Sequence, residues 1–192
     1  MKQMILQTER LVLRELEQGD YAALCRILQD EETMYAYEGA FSHGEAHEWL
    51  ERQIARYKRW GFGAWAVILK KSGELIGQCG VTMQPWEKSE VPEVGYLFRR
   101  DCWHMGYATE AARACRDYAF ARLNFGEVCS IIRDTNIPSQ RVAQRNAMSP
   151  AGMCIKHFKG VDMPHIRYVI TREEWGEMRG GSGAEYCFKD IL

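Results

Sequence analysis

The sequence predicts an α/β fold of the α+β kind: a mixed, mostly antiparallel seven-stranded sheet flanked by helices, in the order βααβββαβαββ. Three observations predict it. Short apolar runs of period two outnumber the stretches of helical spacing. Three such runs follow closely between residues 64 and 99, near enough to pair as a meander. One long amphipathic stretch, 107–123, then separates the third run from another at 128–132, and a helical crossover of that kind sets two strands parallel.

The elements follow in order. Arg10–Arg14 reads as the first strand, with Leu11 and Leu13 on one face. Tyr21, Leu24, Cys25 and Leu28 have helical spacing. Residues 31–41 are aromatic and acidic without a period, and read as a loop. Ser42 and Glu45 form a capping-box pattern, and Ala46, Trp49, Leu50, Ile54 and Tyr57 make one helical stripe that Gly61-Phe62-Gly63 ends. Strands follow at Ala64–Leu69 and Leu75–Met83 around a turn at 71–74, then a polar stretch with Pro85 and Pro92, then a strand at Glu93–Arg99. Helix 107–123 presents Ala108, Ala111, Ala112, Cys115, Tyr118, Ala119 and Leu123 on one face, small enough to sit close to a sheet, and Arg113, Arg116 and Asp117 read as its wet face. Val128–Ile132 is a strand. Asn136 caps a short helix with Pro138 in its first turn, and two last strands lie near 152–158 and 165–170.

At 192 residues the chain suits one domain, read here as 1–178, with a loosely ordered tail at 179–192 carrying Gly-Gly-Ser-Gly. A net charge of −1 offers no basic excess for nucleic acid. No apolar run approaches the roughly 20 residues of a membrane span, and the N-terminus lacks a secretion signal. Seven cysteines, an odd number without a CxxC pair, point to a reduced, cytoplasmic protein. His43 and His47 share a helix turn but have no third ligand in evidence, so no metal is expected. Cys102 precedes a helix start that could lower a thiol pKa, although packing or a free thiol is the better reading.

The chemistry concentrates at Gly106-Tyr107-Ala108-Thr109. A helix start offers unpaired N–H groups and about half a positive charge, and small residues there let an anion approach. With Trp103-x-x-Gly106-Tyr107-Ala108-Thr109-Glu110-Ala111 and Asn136-x-x-Ser139-x-x-Val142, residues 5–175 resemble the GNAT superfamily of acetyl-CoA-dependent N-acetyltransferases, most of all the branch of the ribosomal-protein N-terminal acetyltransferases. Two departures stand out: Trp103 replaces the usual Arg or Gln, and Arg145-Asn146-Ala147-Met148 replaces a Lys-x-Gly-Phe pattern, which puts the local turn in question.

The resemblance implies acetyl-CoA as co-substrate, lying where the strand at 93–99 parts from that at 128–132. Leu97, Phe98 and Arg99 would supply backbone groups to pantetheine, with the Leu97 N–H as candidate oxyanion donor. Met105, Gly106, Tyr107 and Ala108 would bind pyrophosphate through N–H groups, Thr109 would add a hydroxyl, and Arg141 and Arg145 would either reach the 3′-phosphate or be ordinary surface arginines. Asn136 would either bind the pantetheine arm or only cap its helix. Glu93 is the candidate general base. Ser139 or water is the general acid, since the position of the family's usual tyrosine is Ala143.

The implied acceptor channel is bordered by Tyr35, Tyr37, Glu38 and Phe41, and by His157, Asp162 and His165. Aromatics and a carboxylate suit a cationic amine. The acceptor is a small-molecule amine or a protein N-terminus, undistinguished by sequence, and the protein a monomer or homodimer. The alternative is a non-catalytic CoA-binding sensor or interaction module, against which Glu93, Asn136 and Ser139 argue.

Overall fold

The structure, a computed structural model, describes residues 4–180. One mixed sheet of eight strands forms its centre, in the spatial order β1-β2-β3-β4-β5-β6-β8-β7. The strands are β1 (Met4–Gln7), β2 (Leu11–Arg14), β3 (Ala64–Leu69), β4 (Leu75–Trp86), β5 (Ser89–Phe98), β6 (Glu127–Arg133), β7 (Ser149–Phe158) and β8 (Val161–Thr171). The helices are α1 (Tyr21–Leu28), α2 (His43–Trp60), α3 (Tyr107–Ala121), α4 (Ile137–Arg145) and α5 (Arg172–Gly180). Every neighbouring pair is antiparallel except β5 and β6, the pair that α3 connects.

Two apolar layers sandwich the sheet. On one side α1 and α2 pack Leu24, Ile27, Leu28, Ala46 and Leu50 against Ala66 and Leu75. On the other, α3 packs Ala111, Ala112, Cys115 and Ala119 against Val81, Val94, Phe98 and Val128. Its alanines and cysteine let it lie close, as its small-residue face implies. Ser42 and Glu45 make the expected reciprocal cap of α2, and Gly61 ends it at φ 74°.

Four expectations are corrected. The eighth strand is β1, four residues of which the first three are contiguous apolar residues without alternation, paired to β2. The stretch around Pro85 and Pro92 is a continuous β4–β5 hairpin, not a connecting loop: Trp86 pairs with Ser89, and Pro85 and Pro92 both occupy register positions. The Arg99 N–H donates to the Ile76 carbonyl at 2.9 Å, so the rungs bonded between β4 and β5 fall on Leu97, Gly95, Glu93 and Val91. Both prolines fall between those rungs, where a missing N–H breaks nothing.

Helix α5 was not expected; Thr171 and Glu174 cap it reciprocally, and Trp175 stacks on Phe120 at 5.1 Å. Arg116 and Asp117 are not a wet face either. They are 5% and 3% exposed and bonded to each other, Arg116 also donates to the Asn146 carbonyl, and the Trp175 indole donates to Asp117. The buried pair ties the end of α4 and the start of α5 to α3. Beyond residue 180 the expected tail lies outside the described residues.

Candidate functional site

Strands β5 and β6 touch at a single register pair, Glu93 with Cys129. Beyond it they part. The Ser130 hydroxyl donates to the Val94 carbonyl at 2.7 Å, and the Ile131 N–H donates not to β5 backbone but to the Glu93 carboxylate at 3.0 Å. These two side chains cap the last rung and hold the fork open.

The alternation of β5 decides which backbone groups face the opening. Because Leu97 sits on a rung bonded to β4, its N–H points away from the gap. The candidate oxyanion donor is therefore corrected: Tyr96 and Phe98 turn their N–H groups toward β6. Arg99 is likewise removed, since its N–H is taken by Ile76 and its side chain by Asp101 (2.6 Å) and Glu74 (3.6 Å). The Phe98 carbonyl accepts from the Trp103 indole at 2.9 Å, which leaves the Phe98 N–H. Trp103 thus has a structural task, folding the 99–106 loop back onto the strand end.

At the far end of the gap, His104 and Gly106 take left-handed conformations, φ 61° and 79°, and turn the chain into α3. No side chain caps this helix start, so the N–H groups of Gly106, Tyr107, Ala108 and Thr109 are left for a ligand. The Met105 side chain is 55% exposed and stands outside the cavity, its carbonyl held by Arg10 at 2.9 Å. The β1–β2 turn braces this seat. Glu110, in the first turn of α3, accepts from the Thr8 hydroxyl (2.5 Å), the Arg10 N–H (3.0 Å) and the Arg10 guanidinium (2.6 Å), while Arg10 lies 4.5 Å over the Tyr107 ring. Sequence reasoning missed Thr8 and Arg10 because nothing local connects residue 10 to residue 110. Arg113, Arg141 and Arg145 line the same end. Cys102 is no activated thiol: burial and neighbouring Asp101 push its pKa up.

The gap opens into a cavity of about 1580 Å3 that reaches both sides of the sheet. That exceeds the roughly 300–1,000 Å3 typical of a one-ligand pocket, as suits a site for two substrates. On the α3 side stand Tyr96, Asn136 and Ser139. Asn136 caps α4 by accepting from the Ser139 N–H at 3.1 Å, and the Tyr96 hydroxyl donates to the Ser139 carbonyl at 2.8 Å, a strut from β5 to α4 across the gap. Asn136 thus makes the cap and also lines the cavity. Tyr96 was read from sequence only as a strand residue.

On the α2 side stand Glu93, Tyr35, Tyr37, Trp49, Arg56 and Lys156. Burial raises the Glu93 pKa, against the opposing pull of Lys156, the Ile131 N–H and Arg56. Tyr37 packs edge-on to Trp49 at 5.9 Å, and burial raises its pKa. Glu38 is not in this wall: it pairs with Arg133, which also donates to the Tyr35 carbonyl at 3.3 Å. The carboxylate expected to meet an amine there is spent on the loop. His165 also lines the cavity, and burial lowers its pKa; His157 pairs with Asp162 at the rim. Among the described residues no cluster of three potential metal ligands occurs, and no helix is long and apolar enough to cross a membrane.

An elongated molecule with an anionic end fits this arrangement: N–H donors and cations at the start of α3, cleft-facing N–H groups midway, and a half-buried carboxylate where the cleft reaches the α2 side. Residues 10–149 match the family model described as an acetyltransferase (GNAT) domain. The YkkB protein of Bacillus subtilis (strain 168) is 39% identical over 144 residues, 74% of this chain and 84% of that protein. The N-acetyltransferase YnaD of the same organism is 30% identical over 177 residues, covering 90% of this chain and 99% of its own. Among solved structures, the ribosomal-protein-S5-alanine acetyltransferase of Vibrio fischeri shares the fold, with a TM-score of 0.71 at 16% identity over 88% of this chain and 97% of that one. The forked sheet, its bare helix start and these matches lead to one conclusion: the chain belongs to the GNAT family and is an acetyl-CoA-dependent N-acetyltransferase.

Proposed function

We propose that the protein transfers acetyl from acetyl-CoA to a primary amine by direct attack, with both substrates bound at once. The position of Glu93 carries this reading. Its carboxylate is half-buried at the fork, on the α2 side, one rung from the cleft-facing N–H groups. Acetyl-CoA supplies an acyl group activated by a thiolate leaving group. The N–H groups of Gly106, Tyr107 and Ala108, with Thr109, hold its pyrophosphate. The backbone of Tyr96 and Phe98 pairs with the pantetheine arm, and one of these N–H groups meets the thioester carbonyl, where negative charge develops.

The amine enters from the α2 side past Tyr35 and Tyr37. Amines of protein and amino-acid type are largely protonated at neutral pH, with pKa values of roughly 8 to 10.4. Glu93 takes a proton from the amine, directly or through water, and its raised pKa strengthens it as a base. As the N–C bond forms and the C–S bond breaks, the nitrogen sheds its second proton, the thiolate takes one from the Ser139 hydroxyl or from water, and the nitrogen's proton restores that donor. The Tyr96 strut and the Asn136 cap hold Ser139 at the cavity wall.

Glu93→Gln tests this reading. Calorimetric binding of CoA is expected to survive, while turnover with an amine panel falls roughly 10²- to 10⁴-fold. Unchanged turnover removes Glu93 from the reaction, and loss of CoA binding by the wild-type protein removes the whole reading.

A further inference from the structure

The charges around the acceptor side of the cavity do not balance. Glu45 is held by the Ser42 N–H and by Lys159 at 3.4 Å, Arg52 faces Glu48 at 3.7 Å, and Arg133 is paired with Glu38. Three charged groups remain. Arg56, on α2, has only the neutral Gln53 carbonyl at 2.9 Å. Lys156, on β7, has neither a hydrogen-bond nor an ion-pair partner among the described residues. Glu93 stands between them in field but bonds neither, its carboxylate being directed at the Ile131 N–H.

Both cations are half-buried and line the cavity. Strand register fixes Lys156 there: it lies opposite Met163 on β8, and Met163 also lines the cavity. Two desolvated cations against one carboxylate leave a positive charge without a counter-ion, an arrangement that is costly unless a ligand completes it. A plain cationic amine would add a further positive charge and worsen the imbalance.

We propose that the acceptor is an amine of amino-acid type that carries its own carboxylate, which Arg56 and Lys156 receive while its nitrogen lies at Glu93. This inference rests on the acetyl-transfer reading above. The guanidinium fork suits a carboxylate, and Lys156 adds a point charge from the opposite wall. Tyr37 and Trp49 lie beside this end of the cavity and bound the room for a side chain.

The experiment compares kcat/KM for free amino acids with that for their carboxamides, each corrected for its fraction of free amine. Because both members of a pair use the same base, their ratio cancels any change in Glu93. The wild-type protein is expected to favour the free acids by roughly ten- to hundredfold, the loss expected when a charged hydrogen bond has no partner. Arg56→Gln and, at the more accessible strand position, Lys156→Gln should each reduce that ratio, and Arg56→Glu should invert it toward cationic amines. CoA calorimetry on each variant reports whether it folds. A wild-type protein that acetylates carboxamides or plain amines as well as free acids overturns this inference and leaves acetyl transfer standing, as does a ratio unmoved in both neutral variants. No transfer to any amine by a CoA-binding protein overturns both.

Discussion

Burial raises the proton affinity of Glu93 above its ordinary carboxyl value of 4.5 despite two cations and a backbone N–H nearby. A folded-state pKa above the unfolded one means that the native protein holds this proton more tightly. The stability that the group contributes is complete below about pH 4.3, the usual unfolded value, and is lost as pH rises through the folded pKa. At neutral pH the ionised carboxylate therefore weakens the fold. Glu93→Gln keeps an oxygen for the Ile131 N–H and removes the charge. It is expected to raise Tm at pH 7 and to lose that advantage near pH 4, a difference that thermal melts at the two values will show. Strand alternation puts Glu93 and Leu97 on one face. It did not reveal which residues bond to β4, because the partner strand sets that parity. The oxyanion donor was misassigned for this reason alone.

At the scale of elements, several connections break local expectation in instructive ways. The chain leaves α4 through Ala147 at φ 59°, where the family pattern has glycine. The turn survives the substitution: the N–H groups of Ala147 and Met148 close on the carbonyls of Gln144 and Ala143 at 2.9 and 3.0 Å. A Cβ in that conformation costs roughly 1–2 kcal/mol. Ala147→Gly relieves this strain but frees the unfolded chain, so a net gain of about 0.5–1 kcal/mol in urea unfolding is expected. The start of α5 shows the reverse case. Thr171-Arg172-Glu173-Glu174 is a capping box present in the sequence, a helix-start signal that the expected element order did not use. By contrast β1 has no sequence signature; pairing with β2 makes it a strand.

Across the whole molecule, the meander and the parallel pair joined by α3 were legible because one strong helix lies between two strong strands, whereas the position of the fork followed only from the family resemblance. The α1–α2 and α3 faces followed from spacing. What sequence could not supply was contact at long range: Arg10 with Glu110, Glu38 with Arg133, and Arg116 and Asp117 with α4 and α5. These set which charges remain for ligands. The coenzyme seat draws on both ends of the domain, so its occupation is expected to stabilise the whole fold. At a CoA concentration of 100 times Kd, linkage gives about 2.7 kcal/mol, which for a chain of this length is roughly 5–10 °C in Tm. Arg10→Ala leaves the Glu110 carboxylate uncompensated beside the phosphate seat. It is expected to weaken CoA about tenfold, or ~1.4 kcal/mol, and to reduce the thermal shift accordingly.

The fork between β5 and β6 also divides the two substrates. In the ternary complex proposed above, coenzyme lies over the α3 layer and the acceptor over the α2 layer, so neither has to pass the other to bind or to leave. They meet only through the opening just beyond the Glu93–Cys129 rung. On that proposal, a donor tail longer than two carbons would project through that window into the room the nitrogen needs. The missing rungs would then act as a gauge of acyl length, set by the backbone rather than by any one side chain.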